Sequence, residues 1–208
     1  MVIKISEGAE ALIYGVRILG LDAVVKYRAR KRYRIEVMDR QIGSTRTKKE
    51  ARIMSAALAA EVHVPSVLFV DEYSVCMSRI SGRVMSTLMG SKKLNRDMFD
   101  RLGAYAARLH NAGIAHGDYT PANVMIDASG MPWIIDFGLS EMTSALEDKA
   151  LDILLMKRSV NPDQFRAFVD GYGKQCRDAV KVMVRLGEIE KRGRYQTRTL
   201  LAEDDALD

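Results

Sequence analysis

The chain has 208 residues, 48% of them hydrophobic and 28% charged, with a formal net charge of +5, 4 prolines and 2 cysteines. This length is sufficient to bury one hydrophobic core, and so few cysteines argue against a disulfide framework or a thiolate metal site. The apolar runs are too short to span a bilayer, and the N-terminus lacks the basic and apolar segments of a signal peptide. We therefore expect a cytoplasmic protein.

The N-terminal part of the chain is predicted to form a sheet with one main helix. Runs rich in β-branched residues predict strands at residues 2–5, 11–19, 22–28, 67–70 and 75–80. Strong helix formers predict a helix at residues 46–58, for which Thr45 or Thr47 could be the first residue. Its apolar stripe would consist of Ile53, Met54, Ala57 and Leu58.

Two charged residues in this part are candidates for phosphate binding. Lys26 ends the run Asp22-Ala-Val-Val-Lys26, which has the pattern of the strand that carries the phosphate-binding lysine in protein kinases. Glu50, on the predicted helix, is the expected ion-pair partner that holds this lysine. An isolated lysine and glutamate would more often be solvated surface charges, so this interpretation depends on motifs further along the chain.

The segment between the first two predicted strands is the candidate phosphate loop. It runs from Ser6 to Ala11 and contains Gly8 as its single glycine, where protein kinases have three. Gly8, Ala9 and Ala11 are small enough for backbone N–H groups to approach phosphates. The carboxylate of Glu10 would repel phosphates unless it instead meets a metal ion or a lysine.

The last strand of this part marks the expected boundary between two lobes. Met77 lies where kinases place the residue that guards the adenine pocket, and Ile80 begins the hinge to the second lobe. We place the boundary near Gly82, so that residues 1–82 form the N-lobe with its nucleotide-binding sheet.

The remainder of the chain is predicted to be mainly helical. Apolar residues recur at helical spacing over residues 97–112, and Pro162 is suited to the first turn of another long helix. These patterns predict a C-lobe at residues 83–190, followed by a basic and then acidic tail at residues 191–208.

The most informative segment runs from His116 to Ser140. It joins an H-x-D-x-x-x-x-N loop to an Asp-Phe-Gly triplet, and this order and spacing rarely arise by chance. Phosphoryl transfer requires a carboxylate at the nucleophile and oxygen ligands for Mg²⁺ on the phosphates. Asp118 is therefore the candidate catalytic base, and Asn123 and Asp136 are the candidate metal ligands. The pattern predicts a kinase that uses ATP and Mg²⁺.

The residues between the two motifs predict a β-hairpin. Short apolar runs at 124–126 and 133–135 flank a turn at 127–130, and this hairpin would bring Asn123 and Asp136 into one cleft. The alternative interpretation is that these side chains only cap a helix, a turn and a strand end, which are common uses of Asp and Asn.

The three histidines and one helical aspartate have weaker signals. We expect His116 to brace the backbone of the catalytic loop, His110 to lie at a helix end and His63 to lie on the surface. Scattered histidines without paired cysteines do not predict a zinc site. Asp152 matches the position of a helix carboxylate that fastens the catalytic loop in kinases, but it could equally be an ordinary exposed residue.

Taken together, the motifs resemble those of the small atypical serine/threonine kinases of the KEOPS (EKC) complex, the PRPK-type family. That family is a minimal kinase lacking the long activation segment and the Ala-Pro-Glu motif, and no such motif follows Ser140 here. The matching segments span nearly the whole chain. They are Gly8-Ala-Glu-Ala11, Lys26-x-Arg28-x-x-Lys31-x-Tyr33-Arg34, Arg46-Thr47-x-x-Glu50-Ala51, His116-Gly-Asp-x-Thr120-x-x-Asn123, Ile135-Asp-Phe-Gly-Leu-Ser140 and Glu147-Asp-Lys-Ala-x-Asp152.

The resemblance implies an α+β, bilobal protein-kinase-like fold, with an antiparallel-sheet N-lobe containing one main helix and a short helical C-lobe. It implies binding of ATP and Mg²⁺, with Asp118 as catalytic base, Asn123 and Asp136 as metal ligands, and Lys26 and Glu50 as the ion pair. It also implies partners, namely the subunit that makes threonylcarbamoyladenosine in tRNA and other KEOPS subunits.

The charge is concentrated in one region of the chain. Residues 26–52 contain 11 lysines and arginines against 3 acidic residues, a local excess of 8. A second basic stretch in the tail comprises Lys191, Arg192, Arg194 and Arg198. These surfaces could contact tRNA phosphates, but a solvated face or a protein-docking patch is about as well supported, because no RNA-binding motif accompanies them.

Three classes of function remain open from the sequence. The first is an atypical serine/threonine protein kinase or ATPase within a tRNA-modifying complex. The second is a small-molecule phosphotransferase or a RIO-type kinase, which have a similar catalytic loop, although a small-molecule kinase would need extra helices to enclose its acceptor. The third is a non-catalytic nucleotide-binding scaffold, against which the presence of Lys26, Asp118, Asn123 and Asp136 argues.

Overall fold

A computed structural model describes residues 2–8, 11–29, 36–90 and 94–204, with side chains described except at 36–42 and 193–204. Two of the predicted phosphate-loop residues, Ala9 and Glu10, lie outside these ranges. Within the described residues, no helix is both long enough and apolar enough to cross a membrane.

The N-terminal part forms the predicted antiparallel sheet of five strands. The strands are β1 (Val2–Glu7), β2 (Leu12–Ile18), β3 (Leu21–Tyr27), β4 (Val67–Val70) and β5 (Ser74–Ser78). Their order across the sheet is β1-β2-β3-β5-β4, so that β3 lies in the centre. The hairpin between β2 and β3 turns through Leu19 and Gly20, both with positive φ, as a tight two-residue turn requires.

Helix α1 (Glu36–Ala59) begins ten residues before the predicted start, so the assignment of Thr45 or Thr47 as its first residue is wrong. Thr47 is buried inside the helix, where its hydroxyl donates to the carbonyl oxygen of Gly43 at 2.8 Å. A threonine can satisfy its hydroxyl in this way without capping a terminus. The helix therefore needs no capping residue at this point.

The apolar stripe of α1 is narrower than predicted. Ile53, Met54 and Ala57 are buried against the sheet and the C-terminal part, as expected. Leu58 is 46% exposed, so the prediction that it belongs to the apolar stripe is wrong. Successive helical residues are separated by about 100°, so Leu58 lies on the solvent side of the stripe formed by its neighbours.

A second, three-stranded sheet contains the hairpin that joins the two sequence motifs. It consists of β6 (Gly82–Val84), β8 (Val124–Asp127) and β9 (Pro132–Ile134), in the order β6-β8-β9. The β8–β9 hairpin is the one predicted from the sequence. Two further short strands, β7 (Ile114–Ala115) and β10 (Glu141–Met142), pair with each other. In the sequence, β7 precedes the first motif and β10 follows the second.

The turn of the β8–β9 hairpin is organised by Asp127. Its Oδ1 accepts hydrogen bonds from the backbone N–H groups of Ser129 and Met131, and its Oδ2 accepts one from Trp133 Nε1 at 2.9 Å. The hydrogen bonds from the Ser129 hydroxyl and the Trp133 indole, with those of the backbone, hold the pKa of Asp127 well below its usual range. The turn is therefore built around an ionised carboxylate.

The C-terminal part is mainly helical, as predicted. Its helices are α2 (Arg96–Asn111), α3 (Leu146–Ser159), α4 (Pro162–Gln175) and α5 (Ala179–Asp204). Helix α4 begins at Pro162, preceded by Asn161, whose side chain accepts from Gln164 N in a capping box. Helix α5 continues to residue 204, so residues 191–204 of the predicted tail extend a helix.

Two glycines allow α2 and α4 to pack in direct backbone contact. A Cβ atom on Gly103 would lie 1.9 Å from the carbonyl oxygen of Phe168, and one on Gly171 would lie 1.8 Å from that of Asp100. Any larger residue would separate the two helices. Phe168 and Tyr172 are consequently buried between them, next to the catalytic loop.

One continuous core joins the two parts of the chain. Ile53 and Met54 of α1 belong to the same buried cluster as Phe99, Phe137 and Phe168.

The division of the chain into an N-lobe at residues 1–82, a C-lobe at residues 83–190 and a tail at residues 191–208 stays a prediction. Gly82, at its proposed boundary, is the first residue of β6, where a Cβ atom would lie 2.3 Å from the carbonyl oxygen of Ile126.

Candidate active site

The predicted ion pair between β3 and α1 is present. Lys26 Nζ lies 2.7 Å from Glu50 Oε1, and both residues are buried, with 8% and 2% of their surface exposed. Lys26 reaches Glu50 because β3 lies in the centre of the sheet and α1 packs beside β4 and β5. The alternative of two solvated surface charges is therefore excluded.

Lys26 also contacts the aspartate of the Asp-Phe-Gly triplet. Its Nζ lies 2.6 Å from Asp136 Oδ1, which additionally accepts the N–H of Gly138 at 3.1 Å. Burial raises the pKa of Asp136, but the charge and hydrogen bond of Lys26 outweigh this effect and leave the pKa below its ordinary value. The carboxylate is thus held in its ionised form.

Asp136 has an unusual backbone conformation, with a φ of 62°. Non-glycine residues seldom adopt this left-handed region, and they cluster at functional sites, where the surrounding structure imposes the conformation. A Cβ atom on Gly138 would lie 3.0 Å from Asp136 Oδ1 and 3.3 Å from Lys26 Nζ. The glycine of the triplet thus leaves room for the lysine to approach the aspartate.

The catalytic loop brings Asp118 and Asn123 into contact. Asn123 Nδ2 donates to Asp118 Oδ2 at 2.7 Å and to the carbonyl oxygen of Asp118 at 2.9 Å. A 3₁₀ turn over Pro121–Asn123 provides the required chain reversal. Because the amide nitrogen is directed to Asp118, the Oδ1 atom of Asn123 is the one that could accept a cation.

The β8–β9 hairpin places Asn123 beside Asp136. Ile135, the residue immediately before Asp136, donates its N–H to the carbonyl oxygen of Asn123 at 2.9 Å. The sequence motifs are thus adjacent in space, as the predicted hairpin requires. A continuous set of contacts therefore brings together Lys26, Asp118, Asn123 and Asp136.

These oxygen donors suit a Mg²⁺ ion that is held mainly by a nucleotide. The described residues contain no cluster of three or more His, Cys, Asp or Glu side chains that could enclose a metal. Mg²⁺ usually keeps several waters and takes one or two protein oxygens in addition to substrate phosphates. The Asp136 carboxylate and the Asn123 amide oxygen match that ligand set.

Asp152 on α3 anchors the catalytic loop, as the kinase interpretation predicts. The residue is fully buried, and its two carboxylate oxygens accept the backbone N–H groups of His116 at 2.7 Å and Gly117 at 2.8 Å. An ordinary exposed aspartate is therefore excluded. The carboxylate satisfies the backbone donor of the buried His116, which would otherwise lack a partner, and it also binds that of Gly117.

His116 braces the backbone, as predicted. Its Nε2 lies 3.2 Å from the carbonyl oxygen of Ile135, and its Nδ1 lies 3.3 Å from the backbone nitrogen of Asp118. Burial lowers the pKa of His116 despite the nearby carboxylates, which favours the neutral ring. A neutral ring with the proton on Nε2 makes both contacts as hydrogen bonds.

The structure adds a buried network that sequence reasoning missed. His110 was predicted only to lie at a helix end. It is buried near the end of α2, with Nδ1 2.8 Å from the Tyr172 hydroxyl and Nε2 3.2 Å from Asp152 Oδ2. The available signal was the apolar spacing of α4, which puts Tyr172 on its buried face.

His63 does not lie on the surface, so that prediction is wrong. Its ring is half-buried between Tyr105 at 5.5 Å and Trp133 at 5.0 Å, measured between ring centroids. Its backbone carbonyl accepts the N–H of Ile134 at 2.8 Å, which ties the segment after α1 to β9. A polar side chain in a connecting segment is half-buried here because two aromatic rings from the C-terminal part cover it.

A second missed residue is Arg28, one residue beyond β3. Its Nη2 lies 2.5 Å from Glu50 Oε2, so Glu50 binds both Lys26 and Arg28. The Lys-x-Arg spacing was the available signal, because alternate residues of an extended chain point to the same side.

The described residues that remain among the predicted nucleotide contacts lie in or next to the strands of the five-stranded sheet. Gly8 donates its N–H to the carbonyl oxygen of Ala11 at 2.9 Å and so closes the loop between β1 and β2. Met77 pairs with Val24 and therefore faces the same side of the sheet as Lys26, two residues along β3. Ile80 is half-buried just after β5.

The chain matches the family model described as the RIO domain over residues 13–162. A probable serine/threonine-protein kinase BUD32 homolog from Archaeoglobus fulgidus is 40% identical over 201 residues, covering 94% of this chain and 97% of the relative. The KEOPS complex subunit Bud32 from Pyrococcus abyssi is 32% identical, covering 96% of this chain and 99% of the relative.

A longer relative is the probable bifunctional tRNA threonylcarbamoyladenosine biosynthesis protein from Methanothermobacter thermautotrophicus. It is 34% identical over 92% of this chain, which spans 36% of that protein. Among solved structures, the Rio2 kinase-ADP/Mg²⁺-phosphoaspartate complex from Chaetomium thermophilum superimposes with a TM-score of 0.64 at 19% identity, covering 93% of this chain and 70% of the kinase. This similarity shows a kinase-like fold.

The match to the family model, the relatives that align over nearly their whole length and the adjacency of the two motifs in space all indicate the same family. The chain belongs to the RIO-domain family of atypical kinases and, within it, to the Bud32 proteins.

Proposed function

We propose that this chain is an atypical serine/threonine protein kinase and ATPase that uses Mg-ATP. The observation that carries the proposal is the pairing of Asp118 with Asn123, beside Asp136 and Lys26. Phosphoryl transfer depends mainly on positioning and electrostatic stabilisation, and these side chains supply a base, oxygen ligands and a cation within one cleft.

Asp118 would act as the catalytic base. Its carboxylate would accept the proton of a serine or threonine hydroxyl, or orient a water molecule in the ATPase reaction. Asn123 holds Oδ2 of this carboxylate, which leaves Oδ1 to meet the acceptor. The anchoring of the preceding backbone by Asp152 keeps Asp118 in position.

Lys26 and Glu50 would bind and orient the phosphates. In this role Lys26 contacts the α and β phosphates while Glu50 keeps the ammonium group directed into the cleft. Asn123 and Asp136 would hold the magnesium ion. Bound Mg²⁺ neutralises the negative charge that develops on the phosphate oxygens during transfer.

The nucleotide itself would lie against the sheet of the N-terminal part. We assign the adenine side to Met77 and Ile80 and the phosphate loop to Gly8, Ala9, Glu10 and Ala11. The hydrogen bond from Gly8 N–H to the carbonyl oxygen of Ala11, at 2.9 Å, supports this assignment because it brings the two ends of the segment together. The position of Met77 on the face that also carries Lys26 supports one continuous binding surface from adenine to phosphate.

We further propose that the chain is a cytoplasmic subunit of a KEOPS complex that supports threonylcarbamoyladenosine modification of tRNA. Two relatives support this proposal. One is a KEOPS complex subunit, and the other is a probable bifunctional tRNA threonylcarbamoyladenosine biosynthesis protein. Its partners would be the threonylcarbamoyl-transferring subunit and the other KEOPS subunits.

Contact with tRNA through the basic region at residues 26–52 is part of this proposal. Lys48 and Arg52 are exposed on α1 and could meet phosphates. Binding through such contacts would weaken steeply as salt concentration rises. A protein-docking patch in the same place would respond much less to salt.

The experiment that tests the catalytic proposal follows the γ-phosphate of labelled ATP. Release of phosphate and labelling of protein are measured with Mg²⁺, for the chain alone and with the threonylcarbamoyl-transferring partner. Turnover that is lost in Asp118→Ala supports the kinase and ATPase. Nucleotide binding without turnover in either setting would instead favour the scaffold, and transfer only to a small hydroxyl compound would favour a small-molecule phosphotransferase.

A further inference from the structure

The carboxylate of Glu50 is shared between two cationic side chains. Its Oε1 accepts from Lys26 Nζ at 2.7 Å, and its Oε2 accepts from Arg28 Nη2 at 2.5 Å. In the usual kinase arrangement a lysine and a glutamate pair one to one. Arg28 has no role in that arrangement.

Burial makes this shared contact energetically important. Lys26, Arg28 and Glu50 are 8%, 8% and 2% exposed, so each charge needs a partner in the protein. Asp136 is the second carboxylate of the group, 2.6 Å from Lys26. The four side chains therefore carry two positive and two negative charges and balance one another.

This balance depends on Arg28 once Lys26 serves a phosphate. When the ammonium group of Lys26 shares its charge with a phosphate, it neutralises Glu50 less completely. A buried carboxylate that loses its counter-ion is strongly destabilised. The guanidinium of Arg28 stays beside Oε2 and supplies a second counter-ion to the carboxylate.

The backbone fixes Arg28 in the position that this role requires. Its N–H donates to the carbonyl oxygen of Tyr73 at 2.8 Å, which extends the β3–β5 contact beyond the last strand residue. Its Nη2 lies 3.5 Å from the position of a Cβ atom on Gly138, so it also borders the Asp-Phe-Gly loop. The guanidinium thus binds Glu50 of α1 and lies next to the Asp-Phe-Gly loop.

We propose that Arg28 is a positioning residue for phosphoryl transfer. It holds the carboxylate of Glu50 in place and compensates its charge, so that Lys26 can contact the phosphates without leaving a buried charge unpaired. This inference rests on the proposed function, because it assumes that Lys26 binds ATP phosphates. It assigns Arg28 an effect that passes through Glu50 and not through direct contact with the nucleotide.

The test measures the dissociation constant of Mg-ATP by titration calorimetry, together with kcat and KM. The variants are Arg28→Met, Arg28→Lys, Glu50→Gln and the double variant Arg28→Met with Glu50→Gln. The matched control is Arg96→Met, because Arg96 forms an ion pair with Asp170 that is exposed on the far helices. Melting temperatures of all variants report folding, and Arg28→Gln replaces Arg28→Met should the methionine variant not fold.

We expect Arg28→Met to weaken Mg-ATP binding on the order of ten-fold or more, as loss of one partner of a buried charge pair does. Arg28→Lys, which keeps the charge, should stay within about three-fold of wild type. In the Glu50→Gln background, Arg28→Met should change the affinity less than about two-fold, because no buried carboxylate needs compensation. The control should bind like wild type.

Two results would overturn the assignment of Arg28. One is unchanged affinity in Arg28→Met. The other is an equal loss in the wild-type and Glu50→Gln backgrounds, which would show that Arg28 acts independently of Glu50. Failure of the proposed function is distinguishable from both, because the wild-type chain itself would then show no turnover, whether or not it binds Mg-ATP.

Discussion

The two halves of the candidate active site are each organised by a buried carboxylate, but the carboxylates bind different partners. Glu50 binds the charged side chains of Lys26 and Arg28. Asp152 binds the backbone N–H groups of His116 and Gly117. Charged side chains can exchange partners when a ligand arrives, whereas the backbone donors of a buried loop cannot do so without unfolding it.

This difference in partners predicts that one region governs nucleotide binding and the other governs phosphoryl transfer. The region around Glu50 is suited to residues whose partners change when a nucleotide binds, and Asp136 belongs to it through its contact with Lys26. The region around Asp152 keeps Asp118 fixed relative to the core. Variants in the first region should alter nucleotide affinity, and variants in the second should alter turnover or stability.

The largest expected effect is that of Asp118→Ala. Loss of the proposed base should reduce turnover on the order of 10²–10⁴-fold. The affinity for Mg-ATP should stay close to wild type, because Asp118 is not one of the four charged side chains grouped around Lys26 and Glu50. Phosphate release and protein labelling from γ-labelled ATP measure turnover, and Asp163→Ala, an exposed aspartate on α4, is the control. Wild-type turnover in Asp118→Ala would show that the assigned role is wrong.

Asp136→Ala should mainly weaken the Mg²⁺-dependent binding of the nucleotide. Loss of this carboxylate removes a proposed Mg²⁺ ligand, so the gain in nucleotide affinity on addition of Mg²⁺ should fall by a factor on the order of 10–100. Titrations with and without Mg²⁺ measure that gain, with Asp71→Ala, an exposed residue before β5, as the control. An unchanged Mg²⁺ dependence would remove Asp136 from the metal site.

Asp152→Ala should test whether the catalytic loop depends on its buried anchor. The change leaves the N–H groups of His116 and Gly117 without their acceptor and should lower the free energy of unfolding by about 3–5 kcal/mol. Denaturant unfolding measures this loss. Asp170→Ala, which removes one partner of a surface ion pair, should cost less than about 1 kcal/mol. Similar losses in the two variants would contradict the comparison.

The smallest effect concerns pH and His116. Burial lowers the pKa of this ring in the folded protein, so the unfolded chain, with an ordinary histidine pKa of about 6.5, takes up a proton first. Stability should therefore be full above about pH 6.5 and decline as the pH falls, by at most about 1.4 kcal/mol per pH unit from this group. His116→Gln should remove that part of the decline between pH 7 and pH 5, and parallel curves would exclude His116 as its source.

Local patterns predicted the parts of the site that lie close together in the chain. The β8–β9 hairpin follows from two apolar runs and a turn, and it alone places Asn123 beside Asp136. The extent of α1 was underestimated, because the residues before Thr45 are less strongly helix-forming and carry no clear start signal. Thr47 was misassigned because a buried hydroxyl can also be satisfied within a helix.

The sequence by itself determined the kind of chemistry to expect of this protein, since the residue types and the spacing of its motifs predict a base, a phosphate-binding lysine and metal ligands. Only the tertiary structure decided which distant side chains support them. Arg28 joins Glu50, and Tyr172 and His110 join Asp152, across elements far apart in the chain. Such pairings depend on how helices and sheets pack, which periodicity and local propensity do not specify.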